Sequence, residues 1–423
     1  MGSGPALTRR RLLIAGGAVA VAGAAAATTA AVLPGLDVLG AGEDRSWAPG
    51  TFEAPVFGIL QAEPEQFETL REAGVSAVAI SVPWSRAEPR RGRMDDEVVD
   101  DLRRRLDAAR EAGLQVALTP GLQYPPGWVF EAGTAGGRFV DQDGREWHGE
   151  VGDDIADGVF DPRVRDAQED YLLRLGDLLR RHEPTGVRLG GLARGELHYP
   201  FVDTDGRRDT FWAYGEAAQD RCPVPGFRPG DDDEEDARAF VEWYLEERSG
   251  YGRWQVDVAR EAFGEAPRLL VLQPSWGLRP GDVEEAVADG LRGQTPGERR
   301  GTLTEGLDWA RQLPLLAQVP GTAVCTTWVD TPDQGDDPGL VSPGRFLAGL
   351  AAEAGLGAWG ENTGGNDADD LDRCVALVDE LDLEGLFWMS AADLGEDGNA
   401  DLDDYREALA RRQASTPTPG PSA

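Results

Sequence analysis

The 423-residue chain contains no lysine; all 41 of its basic residues are arginine. This excludes a phosphate-gripping P-loop lysine, a pyridoxal Schiff base and a lysine nucleophile. Histidine is nearly as scarce. A three-histidine metal centre would need all of His148, His182 and His198, and there is no HExxH pair, so no metal or other cofactor is expected. Cys222, Cys325 and Cys374 are odd in number and form no CxxC motif; they read as small apolar filler, not as a disulfide framework. Positive charge is short overall, with 41 cations against 76 acids and a net charge of −35. Such a surface repels a phosphate backbone, which argues against a nucleic-acid partner. No G-x-S-x-G elbow is present, so Ser-His-Asp catalysis has no anchor.

Long apolar runs are confined to the N-terminus. Residues 1–45 read as a targeting segment: Thr8-Arg9-Arg10-Arg11-Leu12-Leu13 resembles a twin-arginine signal, and an Ala/Gly/Val-rich stretch follows to Leu33. Small residues between Ala24 and Ala31 offer cleavage sites. The run also approaches the roughly 20 residues that span a bilayer, so cleavage and retention as an anchor both stay open. Either way the body is expected outside the cytoplasm, extracellular or at the cell surface, and a membrane is met only through that anchor. Residues 46–412 read as one domain. Residues 413–423, rich in Pro, Ser and Thr, read as a disordered tail. The sequence carries no mark of oligomeric state.

Between these ends, short apolar runs alternate with amphipathic segments. Strands are expected over 56–61, 75–82, 114–118, 186–192, 268–272, 322–329, 356–359 and 383–389. Helices are expected over 65–74, 97–113, 166–181, 237–263, 308–319, 345–355, 371–381 and 401–411. Eight strands, each followed by a helix, predict an α/β fold of the (β/α)8 TIM-barrel type; a doubly wound sheet is the rival. The run Asp231–Asp236 reads as a dipole-favoured helix start. Asp393–Asp404 has partial calcium-loop spacing, but Gly395 stands where an oxygen ligand is needed, and it reads as a polar loop.

Polar and aromatic residues gather just after the strands, where barrel enzymes keep their sites. The candidate substrate-binding residues are Trp84 after strand two; Gln123 and Tyr124 after strand three; Arg194, His198 and Tyr199 after strand four; Trp276 after strand five; Thr327, Trp328 and Asp330 after strand six; Asn362 after strand seven; and Trp388 at strand eight. A mouth of indoles and hydrogen-bonding groups suits a sugar. Glu196 and Glu361 each follow a glycine at the ends of strands four and seven. Two carboxyl groups facing each other across a barrel mouth are what glycosidic cleavage requires, one to protonate the departing oxygen and one to act on the anomeric carbon or on water. Arg194 and His198 are the groups expected to tune or pair with these acids.

Gly195-Glu196-Leu197-His198-Tyr199-Pro200 resembles the G-E-L-R-Y-P segment of the β-amylases, glycoside hydrolase family 14, with histidine in place of arginine. Gly360-Glu361-Asn362 resembles that family's G-E-N segment, and Phe240–Tyr244 resembles the stretch following its acid. The resemblance implies a TIM barrel, Glu196 as general acid, Glu361 as general base, and inversion at the anomeric carbon. It departs at two places. Ser81 stands near the aspartate, and Leu122-Gln123-Tyr124 near the histidine, with which β-amylases hold the terminal glucose, so α-1,4-glucan specificity does not follow. Leu122-Gln-Tyr-Pro-Pro-Gly-Trp128 is similar instead to the family 42 β-galactosidases, retaining enzymes with an asparagine directly before the acid, where this chain has Gly195. That likeness implies Glu361 as nucleophile. The departures also leave open a carbohydrate-binding barrel without catalysis.

Overall fold

A computed structural model of the chain describes residue 52 and residues 55–415, apart from 133, 150–153, 202–209, 293–298, 300, 364 and 397. The expected targeting segment, 1–45, lies outside the described residues. Eight short, almost wholly buried runs become the strands β1 (Val56–Leu60), β2 (Ala77–Ser81), β3 (Gln115–Thr119), β4 (Gly186–Leu189), β5 (Arg268–Gln273), β6 (Thr322–Thr326), β7 (Gly357–Glu361) and β8 (Gly385–Trp388). Each pairs in parallel with the next, and β8 pairs with β1, closing a barrel in chain order. Burial on both faces is why these runs lack the polar alternation of an exposed sheet.

The helices in chain order are α1 (Phe67–Glu72), α2 (Trp84–Ala87), α3 (Asp96–Glu111), α4 (Gly127–Ala132), α5 (Pro162–Leu178), α6 (Glu216–Gln219), α7 (Glu234–Phe263), α8 (Asp282–Ala288), α9 (Trp309–Leu316), α10 (Pro343–Ala354), α11 (Ala368–Glu380) and α12 (Leu402–Ser415). Several begin earlier than the apolar periodicity suggests, because capping sets the start. The Asp161 side chain accepts from the Arg163 amide with Pro162 at the first helical position, and Asp233 accepts from the amides of Glu235 and Asp236. The acidic run 231–236 is therefore a helix start. The last helix runs to Ser415, three residues into the tail expected to be disordered; 416–423 lie outside the described residues. No described helix is long and apolar enough to cross a membrane. Cys222, Cys325 and Cys374 are free and buried.

Two apolar layers hold the barrel. One lies between sheet and helices; the other fills the cylinder with Val56, Ala77, Ala79, Ala117, Leu270, Leu272, Ala323, Cys325, Trp359 and Phe387. The small side chains make room for the two large rings, which stack at 5.7 Å. Glycine supplies the rest of the space: a Cβ on Gly58 would fall 2.5 Å from the Phe387 ring, and one on Gly385 2.4 Å from Trp359. Lower in the barrel, Glu384 accepts from the Trp359 indole at 2.9 Å and from Arg268 Nε at 3.0 Å.

Asp157, between α4 and α5, is 4% exposed and accepts from the Phe160 amide at 2.9 Å. Burial pushes its carboxyl up to about 8, against the pull of that amide. The native protein thus holds a proton there that the unfolded chain gives up near pH 4. Its contribution to stability is complete below that value and is lost as pH rises toward 8. Asp157→Asn keeps an acceptor for Phe160 without the ionisation. Thermal melts across pH 4–9 should show a smaller alkaline decline for the variant, which should melt above the parent at pH 8; identical profiles would contradict this.

Candidate active site

The segment after β4 folds back on itself. The amides of Gly191 and Leu192 donate to the carbonyls of Gly195 and Glu196, both at 3.1 Å. This requires left-handed backbone at Arg194 (φ 56°) and Gly195 (φ 80°). Glycine suits the second position on two grounds: its φ is one that L side chains avoid, and a Cβ there would lie 2.8 Å from Gln123 Nε2. The asparagine that family 42 enzymes carry before the acid would not fit without moving Gln123. Leu197 then docks on β5, its amide donating to the Leu272 carbonyl at 3.1 Å.

Arg248, on α7, secures this segment from below. Its Nε and Nη2 donate to the Leu197 carbonyl at 3.1 and 2.7 Å, Nη1 donates to Gln312 at 3.0 Å, and Nη2 also donates to Gln273 at 3.0 Å. The side chain is fully buried, and burial pulls its guanidinium down to about 10. A buried cation tied to the Leu197 carbonyl fixes the backbone next to Glu196. If Glu196 serves catalysis, Arg248→Met should lower kcat on the order of 10²-fold by misplacing it, with KM changed little, and Arg248→Lys should recover part of the loss. A variant that keeps its parent kcat would remove Arg248 from this role.

The two glutamates come to the barrel mouth in different settings. Glu196, 9% exposed, accepts from the Thr327 hydroxyl at 2.5 Å, and its other oxygen lies 3.5 Å from His198 Nε2. Glu361, 8% exposed, accepts from Arg188 Nη2 at 2.5 Å. Burial pushes the Glu361 carboxyl up; the Arg188 guanidinium opposes this, and the charges of Glu196 and Asp330 add to it. The two carboxyl groups therefore share one electrostatic environment. Just beneath them, burial and the nearby Glu361 charge raise the Cys325 thiol and keep it neutral. Among the described residues there is no group of three or more His, Cys, Asp or Glu side chains that could hold a metal.

The remaining candidates separate into those at the surface of the site and those under it. Thr327 touches Glu196. Gln123, 7% exposed, borders a small cavity with Arg188, Gln255 and Thr119. Tyr124 and Trp328 are half-buried, and Arg194 is exposed with its guanidinium over the Phe201 ring. Several others do not offer the surface expected of them. Trp84 is fully buried, stacked on Tyr171 with its indole donating to Glu88, because Pro83 opens the short helix α2 and turns the ring under it. Trp276 and Trp388 are buried as well, the latter in the layer between sheet and helices. Tyr199 stacks on Tyr244 and donates to its carbonyl. His198 is buried against the carbonyls of Tyr199 and Ala193. Asn362 bridges loops, accepting from the Met389 amide at 2.7 Å and donating to the Gly365 carbonyl. Asp330 accepts from the Thr363 amide and hydroxyl, so it orders the loop after Glu361. Of the candidate indoles, Trp328 alone keeps part of its face in solvent.

Sequence reasoning missed Arg188 and Arg248. The first carried a signal: an arginine inside the strand Gly186-Val-Arg-Leu189, buried on both faces, must find a buried partner. Arg248 had none beyond its place in a long helix.

Residues 60–150 match the family model described as Beta-galactosidase, glycoside hydrolase family 42. No curated protein matches the chain. Among solved structures, the catalytic domain of a β-amylase from Paenibacillus polymyxa superposes with a TM-score of 0.64 at 15% identity, covering 86% of this chain and 99% of that one. A β-galactosidase from the psychrophilic Marinomonas ef1 gives 0.56 at 13% identity, and one from the Antarctic haloarchaeon Halorubrum lacusprofundi gives 0.54 at 15%. They cover 85% and 86% of this chain, which spans 59% and 58% of theirs. Identities this low bear on fold alone. The chain thus has a closed parallel barrel and, over its second and third strands, a match to the family 42 β-galactosidase model, which makes it similar to the glycoside hydrolases.

Proposed function

We propose that the chain hydrolyses an O-glycosidic bond in an oligo- or polysaccharide at the mouth of the barrel, with Glu196 protonating the departing oxygen and Glu361 acting ionised from the other side. The observation that carries this is the unequal company of the two acids. Glu361 is held by a buried guanidinium, whereas Glu196 meets a hydroxyl that can donate to or accept from it. A guanidinium at one carboxyl and a hydroxyl at the other give the two acids the different surroundings that two different roles in glycoside cleavage need. The G-E-L and G-E-N segments support Glu361 as a base that activates water, with inversion.

A second reading makes Glu361 the nucleophile of a retaining enzyme. Two observations favour it: the family 42 match over residues 60–150, and the Arg188 contact, which lowers the basicity a general base would need. Proton NMR of the sugar released in the first seconds of turnover decides between them, since inverted product supports the base and retained product the nucleophile. Release of no sugar from a panel of chromogenic α- and β-glycosides and polysaccharides would overturn both.

The arginine-led, apolar N-terminal segment supports export of the chain. Replacing Arg9 and Arg10 with lysine should hold it in the cytoplasmic fraction of a host with a twin-arginine pathway; unchanged export would overturn this.

A further inference from the structure

Arg86 in α2 and Arg90, Arg91 and Arg93 in the loop between α2 and α3 place four exposed arginines within eight residues. In a chain of net charge −35, exposed arginines have many carboxylates to choose from. Several do so elsewhere, Arg104 with Asp101, Arg180 with Asp177 and Arg373 with Asp370, while Arg71, Arg181 and Arg238 stand singly without an acidic partner. Among the described residues no acidic side chain pairs with any of the four. The one acid buried beneath them is already engaged: Glu88, 0% exposed, accepts from Arg174 at 2.7 Å, from the Trp84 indole at 2.9 Å and from the Gly92 amide at 2.6 Å. That last bond pins the turn, which the Arg93 amide closes by donating to the Arg90 carbonyl at 2.9 Å. The backbone that carries these arginines is thus held in place.

This turn belongs to the rim of the proposed site. It follows β2, on the same barrel face as Glu196. The Ser85 amide donates to the Tyr124 carbonyl at 2.8 Å, and Tyr124 follows Gln123, which lies against Gly195. Trp128 stands beside the turn, half-buried, its indole donating to the Glu88 carbonyl at 3.1 Å and the Arg91 guanidinium 6.0 Å from its ring centroid. A half-exposed indole next to forked cations offers a stacking face for a sugar ring and bidentate partners for its anionic substituents.

We infer that this arginine turn, with Trp128, is a subsite for an anionic polysaccharide, one carrying carboxylate or sulfate groups, whose chain extends from the cleft over the rim. The inference rests on the hydrolase reading for the cleft, but it is tested by binding alone. Polygalacturonate, a sulfated galactan and an unsubstituted galactan are presented to the full chain and to Arg90→Ser/Arg91→Ser/Arg93→Ser in affinity electrophoresis. The parent should bind at least one anionic polymer about tenfold more tightly than the neutral one at about 50 mM salt, with the preference fading toward about 500 mM. Retardation by polygalacturonate assigns carboxylate, and retardation by the sulfated galactan assigns sulfate. The triple variant should lose that preference while its melting temperature and its affinity for neutral galactan stay unchanged. A parent without preference, or a variant that keeps it, overturns the subsite. Because Glu196→Gln should still bind through the turn, loss of hydrolysis and loss of anionic binding are read separately.

Discussion

Replacing Glu361 with glutamine is expected to lower kcat by about 10²–10⁴-fold on any glycoside the parent cleaves, with KM changed far less. Glutamine keeps the volume and an acceptor for Arg188 but can neither accept the proton of water nor attack carbon. Glu196→Gln should cost a similar factor on glycosides with poor leaving groups and much less on aryl glycosides whose phenol departs unaided, because only the first kind needs a proton donor. That asymmetry separates the roles: leaving-group rescue should be seen for Glu196→Gln and not for Glu361→Gln. Rescue in the opposite variant would exchange the assignments, and full activity in both would remove the two glutamates from catalysis.

The second large effect is expected at Arg188. Arg188→Met strands a buried carboxylate, and breaking a buried pair from one side costs about 3–5 kcal/mol. It also removes the influence that lowers the Glu361 carboxyl, leaving burial and the Glu196 and Asp330 charges to raise it further. The acidic limb of the kcat/KM profile, where Glu361 must ionise, should therefore move to higher pH. Stability should follow the same sign. In the variant Glu361 is raised further above its unfolded value, so stability is best at low pH and declines as pH rises through the folded value. The gap in melting temperature between parent and variant should widen from pH 4 to pH 8. An unmoved acidic limb would mean that Glu361 is not the group titrating there.

Much of the fold can be read directly from the chain. Runs such as Val56-Phe-Gly-Ile-Leu60 and Leu269-Leu-Val-Leu272 are too apolar and too short for anything but strands buried on both faces. Helix starts were less legible, because periodicity marks where a face becomes apolar, whereas Asp161 and Asp233 mark where the backbone turns helical. At the site, Glu196 and Glu361 stood out by position. The tryptophans did not sort themselves, since an indole after a strand looks the same whether it lines a cleft or supports it. Trp84 shows the difference, as a proline-led turn carries it onto Tyr171 and away from the mouth. Arg188 was hidden by its strand, where one charged residue among apolar neighbours passes for an exception when it is an obligation.

Trp359, Phe387 and the small side chains around them fill the cylinder and make it a blind well. No saccharide can thread through it, so reactant and product must share one doorway. Release then competes with entry at the same threshold, and whatever selects among glycans must reside in the loops that frame it, where residues can be exchanged without disturbing the staves beneath.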